Sequence, residues 1–143
     1  EIAILDLEND DAEPVVGFIK PHAELNPRHR HIVNRMTKNH IGIPYDSGDI
    51  PYNQMYKFIF DHLYDAEEIF IGRGKIISEY LYPMFTPDKF TNVGYLTRID
   101  LDFNNIYPCH RHICYPKFDC CAVRNVIALK RYIKRNNIVK EIK

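Results

Sequence analysis

All four cysteines of this 143-residue chain, Cys109, Cys114, Cys120 and Cys121, fall within the stretch "PCHRHICYPKFDCC", together with His110 and His112. Thiolate and imidazole are good donors for a borderline-soft cation, so the cluster reads first as a zinc site. Cys109 and His112 have C-x2-H spacing, and both can reach one ion from a single tight turn. Cys120 follows just before the last helical pattern. A tetrahedral site needs a fourth donor, which Cys121, Cys114, His110 or a distant acid can supply. Two other readings compete: a disulfide, and buried inert thiols. Adjacent cysteines seldom pair with each other, and the metal reading is favoured. Reduced thiols fit an intracellular protein, cytoplasmic or nuclear.

The remaining chemistry is sparse. "GRGK" (72–75) lacks the length and the Ser/Thr of a phosphate-binding P-loop. Nothing around the cysteines resembles the local pattern of a papain-like nucleophile. Net charge is zero, which argues against a protein that coats nucleic acid. The charge is unevenly spread, however. The first thirteen residues hold six acids and no base, and the last twenty hold seven bases against Glu141. Lys130, Arg131, Lys134 and Arg135 take adjacent outward positions on the final helix. They are either a solvated face or a phosphate-contacting surface. No apolar run approaches the ~20 residues that span a bilayer, and the acidic start is unlike a secretory signal.

The elements that must position these residues read as a single α/β domain, a mixed sheet flanked by helices over residues 1–143. "EIAILDL" and "VVGFIKP" are apolar and flank a polar turn, so they form a hairpin. Asn26-Pro27 starts a helix that continues through Ile32, Val33 and Met36 to about His40. "YNQMYKFIFDHLYD" puts Met55, Phe58, Ile59 and Leu63 on one face of a second helix. "EEIFIG" is a short strand, "KIISEYLYPMF" a helix closed by Pro83, and Val93–Leu101 another strand. The cysteine-histidine segment is a loop. The last helix begins near Cys121 and carries Ala122, Val126, Leu129 and Ile133 inward.

This order resembles the DnaQ-type exonucleases of the RNase H-like superfamily. "GFIKP" with the helix after it, "HIGIP" (40–44), "EEIFIGRGKIISEYL" and "CCAVRNVIAL" are similar to successive motifs of that family. The resemblance implies two-metal phosphodiester cleavage by acidic residues. The positions that should carry those acids and a general base fall instead on Ile77, Cys120 and Asn125, which suit no hard-cation site. "EIAILDL" aligns with the family's second strand, so the first strand is missing or lies before Glu1. The Maelstrom domain, a branch that has lost the acidic site, resembles the chain more closely. Carried over from it, the zinc ligands are Glu1, Cys109, His112 and Cys120, with Cys121 as rival fourth ligand. The expected function is then a zinc-stabilised, catalytically degenerate domain that binds RNA or protein partners in small-RNA or transposon-silencing processes. Two alternatives stand beside it. One is an active Mg²⁺- or Mn²⁺-dependent exonuclease or RNase using Asp6, Glu8 and Asp100 or Asp102. The other is a non-enzymatic module of a viral or mobile-element assembly.

Overall fold

The structure is a computed structural model and describes residues 1–21, 26–40, 42–43, 45, 47–72, 79, 81–93, 101–114 and 121–136. It is mixed α/β with small sheets. Strands β1 (Ile2–Ile4) and β2 (Val15–Gly17) pair antiparallel, Ile2 opposite Gly17 and Ile4 opposite Val15. The acidic connection between them turns on its own side chains. Asp6 Oδ1 accepts from the Glu8 amide and Asn9 Oδ1 from the Asp11 amide, at 2.9 and 3.0 Å. Short polar side chains bonding the backbone two residues on favour such turns.

Helix α1 (Pro27–His40) begins where the Asn-Pro signal places it. Asn26 Oδ1 accepts the His29 amide at 3.0 Å, and Pro27 sits at the first helical position, where its missing N–H costs nothing. Gly42, at φ 89°, closes the helix by donating its amide to the Lys38 carbonyl at 3.0 Å. Helix α2 (Met55–Leu63) follows a 3-10 turn (Tyr52–Gln54) and buries Met55 and Ile59. These two side chains form the main core with Ile69 and Ile71 of β3 (Ile69–Ile71), Leu81 and Phe85.

Strand β4 is Phe90–Asn92 and pairs parallel with β3. The sequence pattern puts this strand at Val93–Leu101. Val93 instead follows the pairing, completely buried against Leu129 and Ile133, and residues 94–100 lie outside the described set. The 3-10 turn at Pro87–Lys89 ends local backbone pairing, so the next three residues extend along β3 at once. Among the described residues the strands form two separate two-stranded ladders rather than one mixed sheet. Of the helix expected over "KIISEYLYPMF", residues 75–78 and 80 lie outside the described residues; 79 and 81 are helical and 82–84 form a turn.

The cysteine-histidine segment, expected as a loop, contains a short helix, α3 (His110–Cys114). Helix α4 (Ala122–Arg135) buries Ala128, Leu129 and Ile133 and packs against β1. None of the described helices is long and apolar enough to cross a membrane.

Beyond β2, Phe18 and Lys20 bond residues 49–50: Asp49 N–H donates to the Phe18 carbonyl at 2.8 Å, and Lys20 N–H to the Ile50 carbonyl at 2.7 Å. Gly48 stands where these backbones meet, and a Cβ there would lie 2.5 Å from the Ile19 carbonyl carbon and oxygen. Backbone cannot yield as a flexible side chain does. Gly48→Ala should therefore cost about 2–3 kcal/mol of stability, measured as a lower denaturant midpoint at unchanged slope.

Candidate metal centre

Three parts of the chain converge on one buried point: the start of β1, the first turn of α3, and the N-terminus of α4. Cys109 directly precedes α3 and His112 lies within it, three residues on. Residues three apart on a helix share a face, so the C-x2-H spacing brings thiol and imidazole together, with Cys109 Sγ 3.1 Å from His112 Nδ1. Cys121 is the N-cap of α4, yet its side chain caps nothing. Its Sγ accepts the Cys109 amide at 3.1 Å instead. The capping acceptor comes from across the fold: Glu1 Oε1 accepts the Ala122 amide at 2.9 Å. The same oxygen lies 3.6 Å from His112 Nδ1, and Glu1 Oε2 lies 3.9 Å from Cys121 Sγ.

The donor atoms of Glu1, Cys109, His112 and Cys121 all fall within 4.8 Å of one another. For comparison, donors at about 2.0–2.3 Å from a tetrahedral ion are about 3.3–3.8 Å apart. His112 and Cys121 are wholly buried, and the Glu1 side chain is 5% exposed. Four residues of this chemistry around one buried point could hold a metal ion. The positive end of α4 adds to the attraction for anionic donors.

Of the two adjacent cysteines, only Cys121 is among the described residues. The fourth donor of the cluster is Cys121, whose place at the N-cap turns it inward beside the Glu1 carboxylate. Cys120 lies outside the described residues. The sequence fixes the start of α4 only to within a residue or two, so it favours neither cysteine.

Arg111 holds α3 in place. Its guanidinium donates to the Ser47 carbonyl and, at 2.6 Å, to Asp49 Oδ2, and lies 4.4 Å over the Phe18 ring. His110 meets the other side of this contact edge-on, its ring 5.5 Å from that of Phe18. The turn carrying Cys109 and His112 is thereby fastened to β2 and to the segment around Gly48.

The other sequence-selected residues are elsewhere. Asp6 and Glu8 are exposed in the β1–β2 connection. Asp102 accepts the Asn104 amide at 3.0 Å and lies 3.9 Å from Arg131. Asp100 lies outside the described residues. Among the described residues, the one group of three or more potential ligands is that of Glu1, Cys109, His112 and Cys121, so Asp6, Glu8 and Asp102 are not brought together. The basic residues of α4 face this chain's own acceptors. Lys130 donates to the carbonyls of Asp6 and Asn9 at 2.5 and 2.6 Å, Lys134 pairs with Asp10, and Arg131 donates to the Asn104 carbonyl at 2.6 Å. A hydrogen bond from Lys134, then its charge and that of Lys130, hold the Asp10 carboxyl below its ordinary value. Arg135 is exposed in the last turn. Helix α1 also carries cations, Arg28, Arg30, Arg35 and Lys38, and no acid.

No protein-family model, curated protein or solved structure matches this chain.

The cluster also sets a pH dependence. Burial pushes the Cys109 thiol up. The His112 amide lowers it in part, and the Glu1 carboxylate and Cys121 raise it again, so that it moves from its ordinary 9.0 to about 12. The fold therefore holds this proton more tightly than the unfolded chain does. Its contribution to stability is complete below pH 9.0 and is lost as pH rises from there toward 12. Protein stripped of metal should show a melting temperature that falls through this window, and Cys109→Ser should flatten the fall. A metal-free wild type whose stability tracks the Cys109→Ser variant at every pH would contradict it.

Proposed function

We propose that Glu1, Cys109, His112 and Cys121 hold one zinc ion as a structural staple in an RNase H-like, Maelstrom-type domain. In this reading the domain has no hard-cation nuclease centre and works by binding RNA or protein partners. The observation that carries it is the donor set: two thiols, one imidazole and one carboxylate around a single buried point. Thiolates select zinc over magnesium or calcium, which prefer oxygen donors. Four protein ligands fill a tetrahedral zinc, so no position remains for a hydrolytic water. The group's chemistry is therefore cohesion. It joins β1 to α3 and α4 across as many as 120 residues of chain.

Such a link is large on the scale of a domain. Structural zinc contributes on the order of 10 kcal/mol in small zinc domains, comparable with the total stability of a typical protein of about 5–15 kcal/mol. The scattered positions of Asp6, Glu8 and Asp102 support the non-catalytic part of the reading. The order of elements in the chain, together with the Glu-Cys-His-Cys composition of the donor set, supports the family part.

Elemental analysis of the purified protein should give about one zinc per chain. Cys109→Ser and Cys121→Ser should each abolish it and lower the melting temperature by roughly 10 °C or more, a loss of several kcal/mol. Cys120→Ser should keep both the zinc and the melting temperature. A wild type that is metal-free and fully folded would end the proposal. Zinc retained in Cys121→Ser but lost in Cys120→Ser would transfer the fourth ligand to Cys120.

A further inference from the structure

We propose that Cys109 and Cys121 make the candidate metal centre a peroxide-sensitive switch: oxidation joins the two sulfurs in a disulfide, releases the ion and loosens β1 from the C-terminal helices. This rests on the zinc reading above and adds the regulation of that site. The two thiols come from different elements, one directly before α3 and one at the N-cap of α4, and both are free and buried. Their sulfurs belong to a donor set whose atoms all lie within 4.8 Å of one another. The Cys121 sulfur already sits against the Cys109 backbone, 3.1 Å from its amide nitrogen. A disulfide needs its sulfurs about 2.0 Å apart, so the gap left to close is under about 3 Å, which rotation of one cysteine side chain covers. The pair is also unequal in exposure. Cys109 is 7% exposed and Cys121 is 0%. A water-sized oxidant therefore meets Cys109 first, and Cys121 stands behind it as the resolving thiol. Coordination to zinc holds both as thiolates, the form that reacts with peroxide.

The chemistry balances with hydrogen peroxide as the oxidant. The Cys109 sulfur attacks one peroxide oxygen, the O–O bond breaks, and the departing hydroxide takes up a proton to become water. Cys109 is then a sulfenic acid. The Cys121 thiolate attacks that sulfur, the S–O bond breaks, and a second hydroxide leaves and is protonated to water. Two thiolates, one peroxide and two protons thus give one disulfide and two waters. The sulfurs lose two electrons and the peroxide gains them. Glu1 and His112 are then the donors that remain of the four, too few to fill a tetrahedral zinc site. The mechanical outcome is lopsided. Cys109 and Cys121 stay joined, now covalently, so α3 remains tied to α4. Glu1 keeps its bond to the Ala122 amide and its approach to His112, and loses the ion that linked it to both sulfurs. The three residues of β1 are left with their pairing to β2 and with the Lys130 and Lys134 contacts of the connection that follows.

The test uses the full chain loaded with zinc and treated with excess hydrogen peroxide at neutral pH, while a chromogenic chelator reports free zinc. About one zinc per chain should be released, with a mass loss of about 2 Da and a peptide map that joins Cys109 to Cys121. Cys114→Ser with Cys120→Ser, which leaves the four proposed ligands in place, should release zinc and form the same link as the wild type. Dithiothreitol with added zinc should restore the starting state. Amide exchange at Ile2–Ile4 should become at least about tenfold faster in the oxidised chain, while that of α4 stays as it was. A chain that binds no zinc would sink the metal reading and this proposal together. Zinc that is bound but retained in peroxide, with the thiols intact, would overturn this proposal alone. So would a sulfinic acid on Cys109 without a link, a link made through Cys114 or Cys120, or unchanged exchange at Ile2–Ile4 after the zinc has gone.

Discussion

Two thiols and a carboxylate that would repel one another as anions share a buried cluster with an imidazole, and the rest of the structure is arranged around that constraint. Thiols, a carboxylate and an imidazole brought out of water cost free energy unless something positive compensates them. Part of the compensation is built in. The N-terminus of α4 offers its first amide to Glu1, and the Cys109 amide reaches Cys121. These neutral donors leave the Cys109 thiol pushed upward, a sign that the negative charge is under-compensated. A divalent cation reverses that balance, since it stabilises the thiolate that burial disfavours. The proposed zinc is thus called for by the electrostatics of the pocket as well as by the identity of its ligands.

The same logic separates two faces of the protein. Lys130 and Lys134 on α4 fold the acidic connection after β1 back onto the helix, which sets the acidic stretch after β1 against the basic face of α4. Because Glu1 directly precedes β1, this clasp and the candidate metal centre both tie β1 to α4. Helix α1 lies outside this arrangement. None of its residues whose exposure is described is buried, and it contains no acid.

Much of this was legible in residue order, and the exceptions have physical causes. The Asn26-Pro27 start of α1, the buried face of α2 and the hairpin at the start are local signals: a cap, a helical period and a polar turn between apolar runs. They are visible because the forces that make them act over a few residues. The short α3 looks like a loop in the sequence, because five residues are too few to show a period. It exists through the clamp of Arg111 on Ser47, Asp49 and Phe18, which are more than sixty positions away. β4 lies ahead of the run that the apolar pattern favours, since Val93 is needed in the core against Leu129 and Ile133 rather than in the ladder. In the metal centre, Cys109 and His112 follow from their spacing. Glu1 came through family resemblance alone, and no local rule distinguishes Cys120 from Cys121. The basic character of α4 was obvious in sequence, but its neutralisation by Asp10 and by the carbonyls of Asp6 and Asn9 is a tertiary fact.

X-ray absorption at the zinc edge of the purified protein tests the central claim most directly, because it counts the atoms around the ion. The account predicts two sulfurs at about 2.3 Å and two nitrogen or oxygen donors at about 2.0–2.1 Å. A shell of three or four sulfurs would show that Cys114 or Cys120 replaces His112 or Glu1. A six-fold shell of oxygen and nitrogen, or no zinc at all, would contradict the account outright.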